Sequence, residues 1–347
     1  MTEIFLTIQY LRFLAALMVV FFHATQSLHR DLGLSALPNF LQGARGVDIF
    51  FVISGFIIAH VSKNAKYSGW DFLVRRFVRV APPYYAASAV MLMIALLAPN
   101  LLNSTLLSWP HVIASFLFIP WDNPVTHGTF PLLQVGWTLN AEMQFYLLFA
   151  LAFTAPLMLR VFAATLILFS IVTTGLLLGP QNETLSALSD PILLEFIFGM
   201  FIALALDRRL IPRSKVLGLI LFSIGMGLIL GLPSTPDTHG WRFLIAGLPA
   251  AMILFGLLMI EQATPIRNIK TLKLLGDSSY SLYLWHFFII GAARFAWRYT
   301  DISGALNDIL FLITVVLTSI LASIVGYICI ERPLVGFASR LRGDKIV

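Results

Sequence analysis

Cysteine is nearly absent: the 347-residue chain has one, Cys329. A single thiol excludes an intramolecular disulfide and any cysteine-based metal cluster. Charge is scarce as well. Asp, Glu, Lys and Arg make up 12% of the residues against about 25% in a soluble domain, whereas 59% are hydrophobic. No low-complexity linker and no clear internal repeat divides the chain, which argues against a multidomain assembly or a repeat array. The histidines, at 23, 29, 60, 111, 127, 239 and 286, show no paired ligand spacing, so no metal is expected. What remains is an all-α, polytopic integral membrane protein.

What is present are long apolar runs. Spanning helices of about 20 residues are expected near 8–28, 47–62, 81–99, 137–158, 161–179, 191–206, 216–232, 241–261, 279–297 and 305–330, about ten in all. No signal-peptide cleavage site follows the first run, which therefore reads as a retained span. The net charge of +6 does not point to nucleic acid, because the basic residues cluster between the runs. With the N-terminus cytoplasmic, 18 of the 23 Lys and Arg lie on the inner side or at the inner end of the first span. Arg30, Arg45, Arg242, Arg294 and Arg298 remain outside, so both termini are expected in the cytoplasm. Residues 1–335 read as one transmembrane domain and 336–347 as a cytoplasmic tail. The 100–136 segment, with prolines at 110, 120, 124 and 131, is too short in its apolar part to span. A re-entrant or interface-lying element is expected there, and Trp109 and Trp121 favour a lid at the outer surface.

Polar residues inside apolar runs are costly and usually functional. In "YLRFLAALMVVFFHAT" (10–25), Arg12 and His23 are eleven residues apart, which in a helix is ~16 Å of rise and within roughly 20° of one face. Arg12 snorkelling to the interface and His23 as a packing residue is the other reading. In "GVDIFFVISGFIIAH" (46–60), Asp48 stands at a helix start and the Ser54-Gly55 pair permits close backbone approach. In "WTLNAEMQFYLLF" (137–149), Glu142 lies inside a span with Tyr146 at i+4 and Trp137 at the start. A buried carboxylate must be paired or neutralised. "FLVRRFVRVAPPYY" (72–85) reads either as positive-inside loop charge before a proline-started helix, or as an anion site of Arg75, Arg76 and Arg79 suited to phosphates. "LLGDSSYSLYLWHFF" (274–288) puts a second intramembrane histidine, His286, beside Tyr283 and Trp285.

Arg-x10-His in the first span, "VDIFFVISGF", "FLVRRFVRVAPPYY", "WTLNAEMQFY", "SYSLYLWHFF" and the closing "ERP" at 331–333 come in the order found in the membrane-bound acyltransferase 3 family. Within it, the chain resembles bacterial exopolysaccharide O-acetyltransferases. The match runs from about residue 7 to 335. Leu139 follows Thr138 where serine is more usual. Many relatives add a soluble hydrolase-like domain, and none is expected in the sixteen residues after Glu331. The resemblance implies a bacterial cytoplasmic-membrane enzyme that moves acetyl from cytoplasmic acetyl-CoA to a hydroxyl of an exported polysaccharide or lipid-linked oligosaccharide. A homo-oligomer is compatible with it. On this reading His23, Arg12 and Glu142 are catalytic, with His23 as general base or transient acyl acceptor. Arg75, Arg76, Arg79 and Tyr84 bind the acetyl-CoA donor, with Arg12 also on its phosphates. Asp48, Trp137, Tyr146, Tyr283 and His286 face the acceptor. A transporter or flippase of lipid-linked sugar, with the buried Arg, His and Glu as ion-coupling groups, is the rival expectation; a structural subunit of an export complex would not need Arg12 and His23 on one face.

Overall fold

The computed structural model describes residues 5–30, 32, 36–102, 107–126, 128–179, 182–233, 240–300 and 304–341. His127, His239 and the end of the tail lie outside them. The described residues are helical, with no strand among them. In chain order the helices are α1 (Leu6–Arg30), α2 (Gly46–Ser62), α3 (Gly69–Leu97), α4 (Trp109–Phe116), α5 (Trp137–Leu151), α6 (Leu157–Leu178), α7 (Glu183–Leu188), α8 (Leu194–Asp207), α9 (Lys215–Gly231), α10 (Leu248–Ala263), α11 (Lys270–Asp277), α12 (Ser279–Trp297), α13 (Gly304–Gly326) and α14 (Arg332–Leu341). Among the described residues, seven helical stretches are long and apolar enough to cross a membrane: Leu6–Arg30, Leu41–Ser62, Gly69–Leu97, Leu157–Leu178, Glu183–Asp207, Phe243–Ala263 and Gly304–Arg340. The other three expected spans correspond to α5, α9 and α12, of which α5 and α9 have only 15 and 17 residues.

Two expected boundaries move. The third span begins not near 81 but at Gly69, because Ser68 caps the helix: its hydroxyl accepts from the Asp71 N–H at 3.1 Å while the Asp71 carboxylate accepts from the Ser68 N–H. The basic stretch is therefore helix rather than loop, and Pro82-Pro83 lies in its interior rather than at its start. The fifth helix ends at Leu151, short of the expected 158, and Pro156 precedes a new helix at Leu157.

The chain forms two compact units, residues 1–53 with 205–329 and residues 54–204 with 330–347. In the first, α1 packs against α10, α11, α12 and α13. Its core combines Ala16, Val20, Ala24 and Leu28 of α1 with Leu282 and Ile290 of α12 and Phe311 and Val315 of α13. Alanines on α1 let the helices approach, which in lipid matters more than hydrophobicity because the surrounding chains are equally apolar. A charged cluster completes this unit. Arg45, 3% exposed, donates to the carbonyls of Ile229 and Pro233, both at 2.6 Å, and so satisfies the C-terminal end of α9.

In the second unit α3 packs against α5 and α14, and α5 against α6 and α7. Gly55 fulfils the close approach expected of the Ser54-Gly55 pair: a Cβ there would run into the Phe196 carbonyl of α8. Buried Arg160 of α6 donates to the carbonyls of Ser62 and Ala155, both at 2.9 Å, with its guanidinium 4.3 Å from the Phe153 ring. Residues 107–126 and 128–133 comprise α4 and loop strapped to α3. Tyr84 and Tyr85 donate to the carbonyls of Ser115 and Phe116, and His111 and Asn123 both bond the Phe130 carbonyl. Trp109 and Ile113 form the exposed apolar line of α4, continued by Leu117 just after its end, while His111 and Ser115 are buried, a pattern suited to a helix lying at an interface.

Candidate active site

The two histidines expected inside spans, His23 and His286, meet in the first unit. On α12, Leu282, His286 and Ile290 recur at i, i+4 and i+8, so His286 lies on the face that packs into the core with α1. On α1, His23 adjoins the core alanine Ala24. The two imidazole centroids are 5.3 Å apart with the ring planes 32° from parallel. Phe22 (4.7 Å) and Phe287 (6.5 Å, edge-on) enclose the His23 ring, and Tyr283 lies 6.1 Å from the His286 ring. His286 is fully buried. Its Nδ1 lies 3.1 Å from the Leu282 carbonyl, an acceptor only, so Nδ1 carries the hydrogen. Among the described residues its Nε2 has no hydrogen-bond partner. Arg12, toward the start of α1, reaches Gln9 Oε1 at 3.5 Å and is half-buried.

A second polar cluster is built within the other unit. Glu142 Oε1 accepts from the Ser54 hydroxyl at 2.7 Å and from the hydroxyl of Tyr146, one turn along the same helix. Two O–H donors on one oxygen hold the carboxylate in one orientation. Both bonds are made to Oε1. Trp137 is the first residue of α5 and half-buried. Just before it, Gly136 lacks a Cβ where one would lie 2.6 Å from the Tyr84 ring, so Tyr84 and the start of α5 interlock.

Arg75, Arg76 and Arg79 occupy two successive turns of α3. Arg75 and Arg79 are exposed. The Arg75 guanidinium stacks 4.9 Å from the Tyr67 ring centre and that of Arg76 lies 5.7 Å from Phe72. Arg79 pairs with the buried carboxylate of Glu331 at 3.6 Å. Glu331 closes a widened, π-type turn, Tyr327–Glu331, ahead of α14. Planar guanidinium groups held apart on one helix face suit several phosphate oxygens at once.

Two residues expected at the site are hydrogen-bonded within the fold. Both oxygens of Asp48, 0% exposed, accept from Arg242, at 2.8 Å from Nε and 2.9 Å from Nη2. The Tyr84 hydroxyl donates to Ser115 at 3.1 Å in a buried setting. Both side chains brace the fold. Sequence reasoning had no partner for Glu142 in Ser54, for Arg79 in Glu331 or for Asp48 in Arg242. It also passed over Glu195, a fully buried carboxylate on α8 whose signal was an acidic residue inside "PILLEFIFGM". Among the described residues no group of three or more His, Cys, Asp or Glu side chains is placed to hold a metal ion.

A helical membrane protein with facing imidazoles, a hydrogen-bonded carboxylate and an arginine cluster has the parts of a membrane acyltransferase. The chain belongs to the acyltransferase 3 family, whose model, described as an acyltransferase domain, matches residues 5–328. It is similar to the exopolysaccharide production protein ExoZ of Rhizobium meliloti (strain 1021), with 33% identity over 299 residues, 85% of this chain and 90% of that protein. It is also similar to the O-acetyltransferase OatA of Staphylococcus aureus (strain NCTC 8325 / PS 47), 26% identical over 84% of this chain and 52% of the relative. The peptidoglycan O-acetyltransferase OatA of Listeria monocytogenes is 27% identical over 81% of this chain and 48% of its own. The chain thus matches about half the length of the two O-acetyltransferases. No solved structure matches it.

Proposed function

We propose that the protein is a polysaccharide O-acetyltransferase of a bacterial cytoplasmic membrane, with acetyl-CoA as donor and a hydroxyl of an exported polysaccharide or lipid-linked oligosaccharide as acceptor. The observation that carries the chemistry is the His23–His286 pair, two imidazoles 5.3 Å apart on apolar helices, where a polar packing residue alone would need no second ring. The relatives' names support the acceptor class, and the excess of Lys and Arg assigned to inner segments supports ten spans with both termini cytoplasmic. Residues 1–335 are the acyltransferase domain and 336–347 a cytoplasmic tail.

In this reading Arg75, Arg76 and Arg79 hold the donor's phosphates at the cytoplasmic face, and Arg12 does the same from α1. The donor set fits: Arg75 and Arg79 are exposed, and ring contacts or an ion pair orient each guanidinium. His23 takes the proton of the acceptor hydroxyl while the oxygen attacks the thioester carbonyl. A C–O bond forms, the C–S bond breaks, and His23 returns the proton to the thiolate. The alternative sequence forms an acetyl-imidazole on His23 first, with the same net proton transfer. Glu142 orients the acceptor through its second oxygen, and Trp137, Tyr146 and Tyr283 offer ring faces to a sugar.

Replacing Arg75, Arg76 and Arg79 together by glutamine is expected to raise the KM for acetyl-CoA by ~10²-fold with little change in kcat, as removal of uniform binding does. Steady-state kinetics on the purified protein check this. An unchanged KM would place the phosphate site elsewhere.

A further inference from the structure

His286 presents an unexplained atom. Its Nδ1–H is committed to the Leu282 carbonyl at 3.1 Å. The neutral ring must therefore carry its lone pair on Nε2, and that atom is buried with no hydrogen-bond partner among the described residues. Ordinary packing does not account for this. A leucine or phenylalanine would fill the Leu282–Ile290 face without stranding an acceptor, and buried acceptors are almost always satisfied. The titratable ring beside it is His23, at 5.3 Å between centroids. Catalytic hydrogen bonds are commonly long before substrate binds and tighten in the complex.

We infer that His286 is the positioning residue of His23: its Nε2 accepts the N–H of His23, so that the other ring nitrogen of His23 presents its lone pair to the reacting hydroxyl. The backbone bond of His286 sets its tautomer, and that tautomer in turn sets the tautomer of His23. This is the work a carboxylate does for histidine in a serine-hydrolase triad, done here by a neutral ring that adds no charge to an apolar core. When His23 takes the hydroxyl proton, the imidazolium keeps its N–H on His286 Nε2, and the proton leaves again to the departing thiolate. No further co-reactant is needed. The inference rests on the role proposed for His23 and replaces substrate contact as the function of His286.

The test uses two near-isosteric variants of the full chain, purified and reconstituted in lipid, with acetyl-CoA as probe. Glutamine reaches the Nε2 position with an amide oxygen, whereas asparagine stops at the Nδ1 position. His286→Gln is expected to keep kcat within ~10-fold of the unsubstituted protein, and His286→Asn to lose ~10²-fold or more in kcat with the KM for acetyl-CoA unchanged. Equal losses in both variants, or no loss in either, would overturn the inference. His23→Ala is run alongside. If it stays active, the reading of His23 fails; if it is inactive while His286→Asn keeps full kcat, only the positioning role fails. Should His286→Asn not insert, 15N spectra of His23 in the unsubstituted protein still decide. A single dominant tautomer of neutral His23 is expected, and an even mixture of the two contradicts the proposal.

Discussion

His23→Ala is expected to abolish acyl transfer, with a fall of ~10³-fold or more in kcat, while the protein still inserts and purifies as a monodisperse species. The expectation follows from what surrounds the ring. His23 is flanked by Phe22 and Phe287, neither of which can accept a proton, and its neighbour in the core cluster is Ala24. In the role inferred for it His286 cannot substitute, because its Nδ1–H is committed to the Leu282 carbonyl and its one remaining nitrogen is the acceptor for His23. Truncation to alanine removes a half-buried ring from a small-residue interface, so a modest loss of thermal stability should accompany the loss of activity. Measuring transfer per folded molecule separates the two. Full activity per molecule would show that the chemistry does not run through α1.

Arg242→Ala is expected to cost about 3–5 kcal/mol of stability, the range seen when one partner of a buried ion pair is removed. The reason is the 0% exposure of Asp48. Arg242 supplies both N–H donors to that carboxylate, and nearby Arg45 has its guanidinium turned to the carbonyls that end α9. Removing Arg242 strands a charge in an apolar unit. Asp48→Ala combined with Arg242→Ala should cost less than the sum of the two single changes, because the double variant leaves neither partner of the pair uncompensated. Thermal unfolding of the four proteins in one detergent checks this. Strict additivity would mean that the pair is not coupled and that Asp48 is free for another use.

The elements that could be read from sequence were those with a local signature. The spacing of Arg12 and His23 needs only helical geometry, and α1 is one uninterrupted helix from Leu6 to Arg30. The i+4 relation of Glu142 to Tyr146 became a hydrogen bond, and the small pair at 54–55 became a backbone contact. Apolar length fared less well at boundaries. The start of α3 was hidden because three arginines interrupt the hydrophobic pattern, although Ser68 and Asp71 form a capping box three residues apart that could have marked it. The end of α5 at Leu151 was hidden for the opposite reason, since the apolar run continues through the turn. The pairings that hold these side chains in place are between residues far apart in the chain. Asp48 with Arg242, Arg79 with Glu331 and His23 with His286 have no periodicity to reveal them. They also change how the outer arginines are read: Arg45 and Arg242 bind carbonyls and a carboxylate inside the first unit, so their position reflects packing rather than topology.

The central claim is that this chain moves an acetyl group from acetyl-CoA to a polysaccharide hydroxyl. The direct measurement is label transfer by the purified protein reconstituted in vesicles, with acetyl-labelled acetyl-CoA offered on one side and polysaccharide on the other. The expected result is an alkali-labile ester on the polysaccharide and one free thiol released per ester formed, both absent with His23→Ala. Movement of a lipid-linked sugar across the vesicle membrane with no acetyl-CoA consumed would contradict the account and make the buried Arg, His and Glu residues parts of a transporter.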